Sequence, residues 1–247
     1  MTTRLLEAIA REERGVLFTV IEGGSLGARL LVLETGEHVG DGVPSSIAAR
    51  ADELIRGHRS QIVEGEGLRV FAEIYGPPPR LFVYGAVDTA EALCAAAQLL
   101  DWRTIVADAR AAFATRERIP SADELLVAWP EEALAQVAPD HDTAVVVLTH
   151  DDKFDIPALK AALASEAFYV GALGSRRNQE RRRERLLEAG LTDEALERLS
   201  GPCGLDIGAE TQPETALSIL AEIVAVHSHR EGGRLAASEH RIHAGVD

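Results

Sequence analysis

A glycine, a serine and two arginines in a row, Gly174-Ser175-Arg176-Arg177, carry the clearest chemical signal in this sequence. The apolar run Ala167–Leu173 reads as a strand leading into them, and a helical pattern follows as far as Gly190. Ser175 suits the N-cap of that helix and Gly190 its left-handed C-terminal position. A helix that opens from a glycine turn offers unbonded backbone N–H groups to an anion. Cations in the first helical turn oppose the helix dipole, so Arg176 and Arg177 point to a negatively charged partner rather than to local stability. Gly171, in the preceding run, joins the same candidate anion site. Arg181, Arg182, Arg183 and Arg185 extend a basic surface along the helix. A solvated face paired with Glu180, Glu184 and Glu188 accounts for that extension equally well.

Three further segments place polar residues where strands end. After the apolar run Ala144–Thr149 come His150, Asp151, Asp152 and Asp155. His150 is the candidate for moving a proton or bonding a ring nitrogen. Asp151 and Asp155 either face a ligand or cap the helix expected at Ile156–Ala164. In GPCGLDIGAETQPE, the close spacing of Gly204 and Gly208 demands special backbone angles or close approach, and Asp206 between them could orient a ligand. Cys203 has no activating base in the sequence and reads as a small packing residue. The first strand–helix turn, LFVYGAVDTA, fits the dinucleotide fingerprint at Gly85 and Ala90. Val87 occupies the position where glycine normally lets the backbone approach a pyrophosphate. Asp88 caps the helix and would repel phosphate. Asp108, the acidic residue expected about 20 positions on, could accept from ribose hydroxyls, and Arg110 could meet a phosphate or pair with Asp108. NAD(P) is therefore only a weak cofactor expectation, on a Rossmann-like scaffold with an altered pocket.

These residues need elements to hold them. The chain has 247 residues, a formal charge of −15, 46% hydrophobic and 26% charged residues, which fits a globular protein with ample core. The acidic balance argues against nucleic-acid partners, since phosphates would meet no general positive field. Aromatic content of 4% argues against a base-stacking or carbohydrate surface. Cys94 and Cys203 form no zinc or disulfide pattern, and no His/Cys/Asp cluster has ligand spacing, so no metal is expected. The N-terminal segment lacks a signal peptide's apolar centre, and no apolar run reaches the roughly 18 residues of a membrane span. No membrane partner and a cytoplasmic location follow as expectations.

Pro77-Pro78-Pro79 divides the pattern. Residues 1–76 read as a small α+β domain, with helical patterns near Arg4–Glu13 and Ile47–Arg56 and strands near Gly15–Ile21, Ala28–Glu34 and Leu68–Tyr75. Residues 80–227 alternate apolar strands with helices, which implies an α/β fold: a Rossmann-like parallel sheet covered on both faces. Residues 228–247 read as a disordered tail.

THDDKFD (Thr149–Asp155), YVGALGSRRNQERR (Tyr169–Arg182) and GLDIGAETQPETALSILAEIVA (Gly204–Ala225) resemble the C-terminal domain of the XdhC/CoxI family. These are accessory proteins of molybdenum hydroxylases such as xanthine dehydrogenase and carbon monoxide dehydrogenase. The resemblance implies a Rossmann-like domain that binds the molybdenum cofactor (molybdopterin), assists its sulfuration and delivers it to the apo-enzyme, as a chaperone rather than a turnover enzyme. It implies molybdenum hydroxylase subunits as partners, with a cysteine desulfurase as a further candidate, and a homo-oligomer is expected. The stretch Val16–Gly42 is similar to the family's first domain. It lacks a Ser-x-Pro-Arg element between Gly24 and Gly27, keeps only Gly40-Asp41-Gly42 of a Gly-Gly-Gly-x-x-Glu element, and has no Cys-Gly-Gly element before Leu68, so the first domain reads as shortened. The pterin phosphate is expected at Gly174–Arg177, with Asp108, His150 and Asp206 lining the cleft. The rival readings are a nicotinamide-dependent oxidoreductase using Gly85, Asp108 and His150, and a docking module without a ligand.

Overall fold

The computed structural model describes residues 1–238, which divide into two units. The first comprises Met1–Pro77 together with residues 234–238. It contains α1 (Thr2–Ala10), β1 (Gly15–Glu22), β2 (Arg29–Leu33), β3 (His38–Gly40), α2 (Ser45–Ala48), α3 (Ala51–Arg56), β4 (Gln61–Gly65) and β5 (Leu68–Tyr75). The strands form an antiparallel sheet in the order β3-β2-β1-β5-β4. Val16, Phe18 and Val20 face Ile47, Leu54 and Ile55, while Leu17 packs with Ala8 of α1 on the other side. With both faces covered, β1 loses the apolar–polar alternation of a half-exposed strand. The helix expected across Ile47–Arg56 is two short helices that meet at Arg50.

The second unit, Pro78–Gly233, carries the candidate site residues. Its elements are β6 (Arg80–Tyr84), α4 (Asp88–Gln98), β7 (Arg103–Ala107), β8 (Glu124–Leu126), α5 (Pro130–Val137), β9 (Thr143–Val147), α6 (Asp152–Ala164), β10 (Tyr169–Ala172), α7 (Arg176–Glu188), α8 (Asp193–Leu196), β11 (Leu199–Ser200) and α9 (Gln212–His227). Every strand pair in its six-stranded sheet is parallel, in the order β11-β10-β9-β6-β7-β8. Numbered within the unit, that is the 3-2-1-4-5-6 order of doubly wound dinucleotide-binding folds, with the switch point between β6 and β9. Leu81 and Val83 pack with α4 and α9 on one face; Phe82, Tyr84, Val145 and Val147 pack with α5, α6 and Leu186 of α7 on the other. All five residues of β9 are buried, as a strand between two helical layers requires.

Two boundaries that bear on the site differ from the sequence reading. Helix α6 starts at Asp152, four residues before Ile156, and Pro157 lies inside it. Helix α4 has Val87 at its N-cap with no side-chain bond, so Asp88 is the first helical residue and not the cap. Beyond α9, a short 3-10 turn spans Leu235–Ala237. The rest of the expected tail, residues 239–247, lies outside the described residues.

Candidate functional site

The loops that leave the carboxyl ends of β6, β7, β9 and β10 hold most of the residues singled out above. In an open parallel sheet this edge receives ligands.

The first turn is closed upon itself. Gly85 has φ +111°, and a Cβ there would come within 2.8 Å of Thr149 Cγ2, so glycine is required twice over. Asp108 is only 1% exposed. One carboxylate oxygen accepts from Ala86 N–H at 3.1 Å and Arg110 Nη2 at 2.8 Å; the other accepts from Arg110 N–H and Nε, both at 2.9 Å. Burial pushes this carboxyl up, but the Arg110 side-chain bond and the backbone N–H bonds from Arg110 and Ala86 outweigh it and hold the group below the usual carboxylate range. The same bond raises Arg110 above the usual guanidinium value. A ribose hydroxyl would have to displace Arg110 to reach Asp108. The nicotinamide reading thereby loses the support of Asp108, and Val87 at the helix N-cap stands against it as the sequence indicated.

At the end of β9, Thr149 is buried and His150 exposed. Asp151 is the N-cap of α6 and accepts from Lys153 N–H at 3.1 Å. That backbone bond holds its carboxyl below the usual value. Asp155 is not a cap. It sits inside α6, 2% exposed, accepting from Thr149 Oγ1 and, at 2.8 Å, from Arg182 Nη2. Arg182, in turn, is only 5% exposed and leaves the basic surface expected of it. It also donates to Leu173 O at 3.1 Å and to Gln179 Oε1 at 2.6 Å, and Gln179 donates to Ala172 O at 3.0 Å. Thr149, Asp155, Gln179 and Arg182 thus tie the ends of β9 and β10 to α6 and α7. Sequence reasoning passed over this network. The one signal was that Arg182 lies at the i+3 position from Gln179 and four before the apolar Leu186.

The second turn sits on that support. Gly174 has φ +143°, and Ser175 caps α7 by accepting from Asn178 N–H at 3.3 Å. The earlier amides of α7 have no intrahelical acceptor. Arg181 pairs with Asp152 at 3.4 Å, Arg183 with Asp193, and Arg185 with Glu188 at 3.0 Å. Of the three glutamates expected, Glu188 is paired, at i+3, and the other two partners are acids of other helices. Arg176 and Arg177 are exposed, and neither forms an ion pair or hydrogen bond among the described residues. Arg176 lines a cleft of about 270 Å³ with Gln179, Glu180, Arg183, Leu199, Gly201 and Pro202.

Gly171 stands apart from this turn. It is buried within β10, where a Cβ would lie 2.6 Å from the Tyr169 ring, so packing explains it. Gly204 has φ +109° and donates its N–H to Glu222 at 2.7 Å, beside the Tyr169 hydroxyl that also donates to Glu222. Burial, then Glu222, pushes the Cys203 thiol up to about 12, in keeping with a packing residue. Asp206 and Gly208 lie in the exposed loop before α9, which opens with a Thr211–Glu214 capping box. Among the described residues, no helix is long and apolar enough to cross a membrane.

Comparison with known proteins bears on this unit. Residues 81–223 match the model of the XdhC Rossmann domain. The chain is 33% identical over 172 residues to the molybdenum cofactor insertion chaperone PaoD of Escherichia coli (strain K12), covering 70% of this chain and 48% of that protein. It is 33% identical over 155 residues to a probable xanthine dehydrogenase subunit of Bacillus subtilis (strain 168), covering 63% and 45%. It is 32% identical over 179 residues to E. coli YqeB, covering 71% and 32%. The chain therefore spans a third to a half of these relatives. A crystal structure of a xanthine dehydrogenase from Bacillus halodurans superposes with a TM-score of 0.69 at 26% identity, covering 90% of this chain and 65% of that one.

Proposed function

Because the chain belongs to the XdhC Rossmann-domain family, we propose that it is a maturation factor that binds the molybdenum cofactor, assists its sulfuration and hands it to a xanthine dehydrogenase-type hydroxylase. The observation that carries the reading is the pair Arg176 and Arg177. In a chain of charge −15, they are exposed at a helix mouth without an acidic partner among the described residues. Free α7 amides and two uncommitted guanidinium groups are a donor set that fits a phosphate. Arg176 and Arg177 would hold the phosphate of the pterin, Gly174 would let the backbone approach it, and His150 would stand at the neighbouring strand end as a proton carrier.

The molybdenum chemistry is the cofactor's and is used by the client enzyme. This chain's part is to grip the anionic end, orient the pterin and release it to a partner. Molybdenum hydroxylase subunits are the proposed recipients and a cysteine desulfurase the proposed sulfur source. The names of PaoD and of the Bacillus proteins support this reading at the level of the family's task. Titration with isolated molybdenum cofactor tests it: wild type should bind saturably, and Arg176→Ala/Arg177→Ala should bind on the order of tenfold more weakly per arginine, the size of a charged hydrogen bond. No saturable binding by wild type, or equal binding by the double variant, rules the assignment out.

A further inference from the structure

The aromatic residues of this chain are few, yet three of them, Trp129, Phe154 and Tyr84, meet on one side of the second unit. Trp129, at the N-cap of α5, has its ring centroid 5.3 Å from that of Phe154 in the first turn of α6, and Phe154 lies 6.3 Å from Tyr84. Among the described residues, every cation–ring contact involves Phe154 or Phe113, and Arg110 reaches both rings. Arg110 Cζ lies 3.8 Å from the Phe113 centroid and 5.7 Å from that of Phe154; Arg118 Cζ is 4.8 Å from Phe113, and Lys153 Nζ is 4.6 Å from Phe154. Phe154 is buried, whereas Trp129 remains 51% exposed.

A half-exposed indole backed by a buried ring is a flat surface left for another flat group. The neighbouring donors narrow what that group is. Asp108 engages Nε and Nη2 of Arg110, and Nη1 makes no hydrogen bond among the described residues. The Asp108 pair and the Phe113 ring hold the guanidinium in place, which fixes the position of Nη1 as a donor.

We infer that Trp129 is the stacking platform of a subsite for a planar heteroaromatic ring bearing a carbonyl acceptor, with Arg110 Nη1 donating to that carbonyl. Pterins and nucleobases share this chemistry. The inference deepens the maturation reading and rests on it for which ring is natural, but the subsite itself rests on the aromatic cluster and not on the arginine turn. Arg110 thereby acquires a use that Asp108 serves by positioning it.

Two phosphate-free probes, 6-hydroxymethylpterin and guanosine, separate the sources, and inorganic phosphate is the control. Equilibrium dialysis on the intact wild-type chain gives affinities. In a Trp102→Phe background Trp129 is the sole tryptophan, and its emission reports contact. Saturable binding of either ring with quenching of Trp129 is expected, with no response to phosphate. Trp129→Ala should weaken binding about tenfold, Trp129→Phe should keep most of it, and Arg110→Lys should weaken it through loss of the fixed fork. Arg176→Ala/Arg177→Ala should leave phosphate-free rings unaffected. Ring binding that survives while cofactor binding proves independent of Arg176 and Arg177 would remove the anion turn alone. Absence of binding by both rings, or an unchanged affinity in a Trp129→Ala chain with a wild-type melting curve, overturns the subsite.

Discussion

The turns that follow β6 and β10 are both glycine bends opening into a helix, and they differ in what their polar groups are doing. At the first, Asp108 is already satisfied by Ala86 and Arg110, and Val87 crowds the helix mouth. At the second, the supporting charges are buried in the Asp155–Arg182 pair, while Arg176 and Arg177 above it are uncommitted. The fold thus ties Asp108 of its first turn into internal structure and leaves Arg176 and Arg177 of its second without an acidic partner among the described residues. The lesson is that a glycine turn does not by itself show whether its charged neighbours are committed, because their partners lie on other elements.

Breaking the support of the second turn should give the largest effect. Arg182→Ala leaves Asp155 buried and unpaired, which costs about 3–5 kcal/mol. Urea denaturation should show it as a lower midpoint at unchanged slope. Asp155→Ala/Arg182→Ala should cost less than the sum of the two single changes, because the pair is coupled.

The first turn should respond more mildly. Asp108→Asn removes the ion pair to Arg110 and should cost on the order of 1–3 kcal/mol. Because its folded pKa is held below the unfolded value, the wild-type carboxylate stabilises the chain above about pH 4 and loses that contribution as pH falls through the folded value. The stability difference between wild type and Asp108→Asn should shrink in acid melts. A constant difference down to the lowest accessible pH would show that Asp108 is held by shape and not by charge.

The smallest effect should be at the arginines of the second turn. They have no partners to lose and oppose the helix dipole, so Arg176→Ala/Arg177→Ala should leave stability unchanged or raise it by up to about 1 kcal/mol. A clear loss in thermal melts would mean that they serve the fold.

Much of this was legible in the sequence for a physical reason. Strands buried on both faces read as unbroken apolar runs, so β6, β7, β9 and β10 and the parallel sheet were visible in Leu81–Tyr84, Arg103–Ala107, Ala144–Thr149 and Ala167–Leu173. Short edge strands were not: β3 and β4 carry His38, Gln61 and Glu64, and β8 has three residues. The glycine turn and its cap at Ser175 were equally readable, because capping is local. Arg182 was not, since nothing local separates a buried guanidinium from the paired ones at Arg181 and Arg183. Its partner is 27 residues away. The same distance effect hid the role of Asp155, and Gly171 looked like part of a binding turn until the Tyr169 ring was seen over it.

One side-by-side titration tests the contrast most directly: molybdenum cofactor added to wild type, Asp108→Asn and Arg176→Ala/Arg177→Ala at one ionic strength. The account predicts that the double arginine variant loses on the order of a hundredfold, while Asp108→Asn, which loosens only the Arg110 donor to the ring, loses clearly less. Weakened binding in Asp108→Asn with full binding in the arginine variant would contradict it.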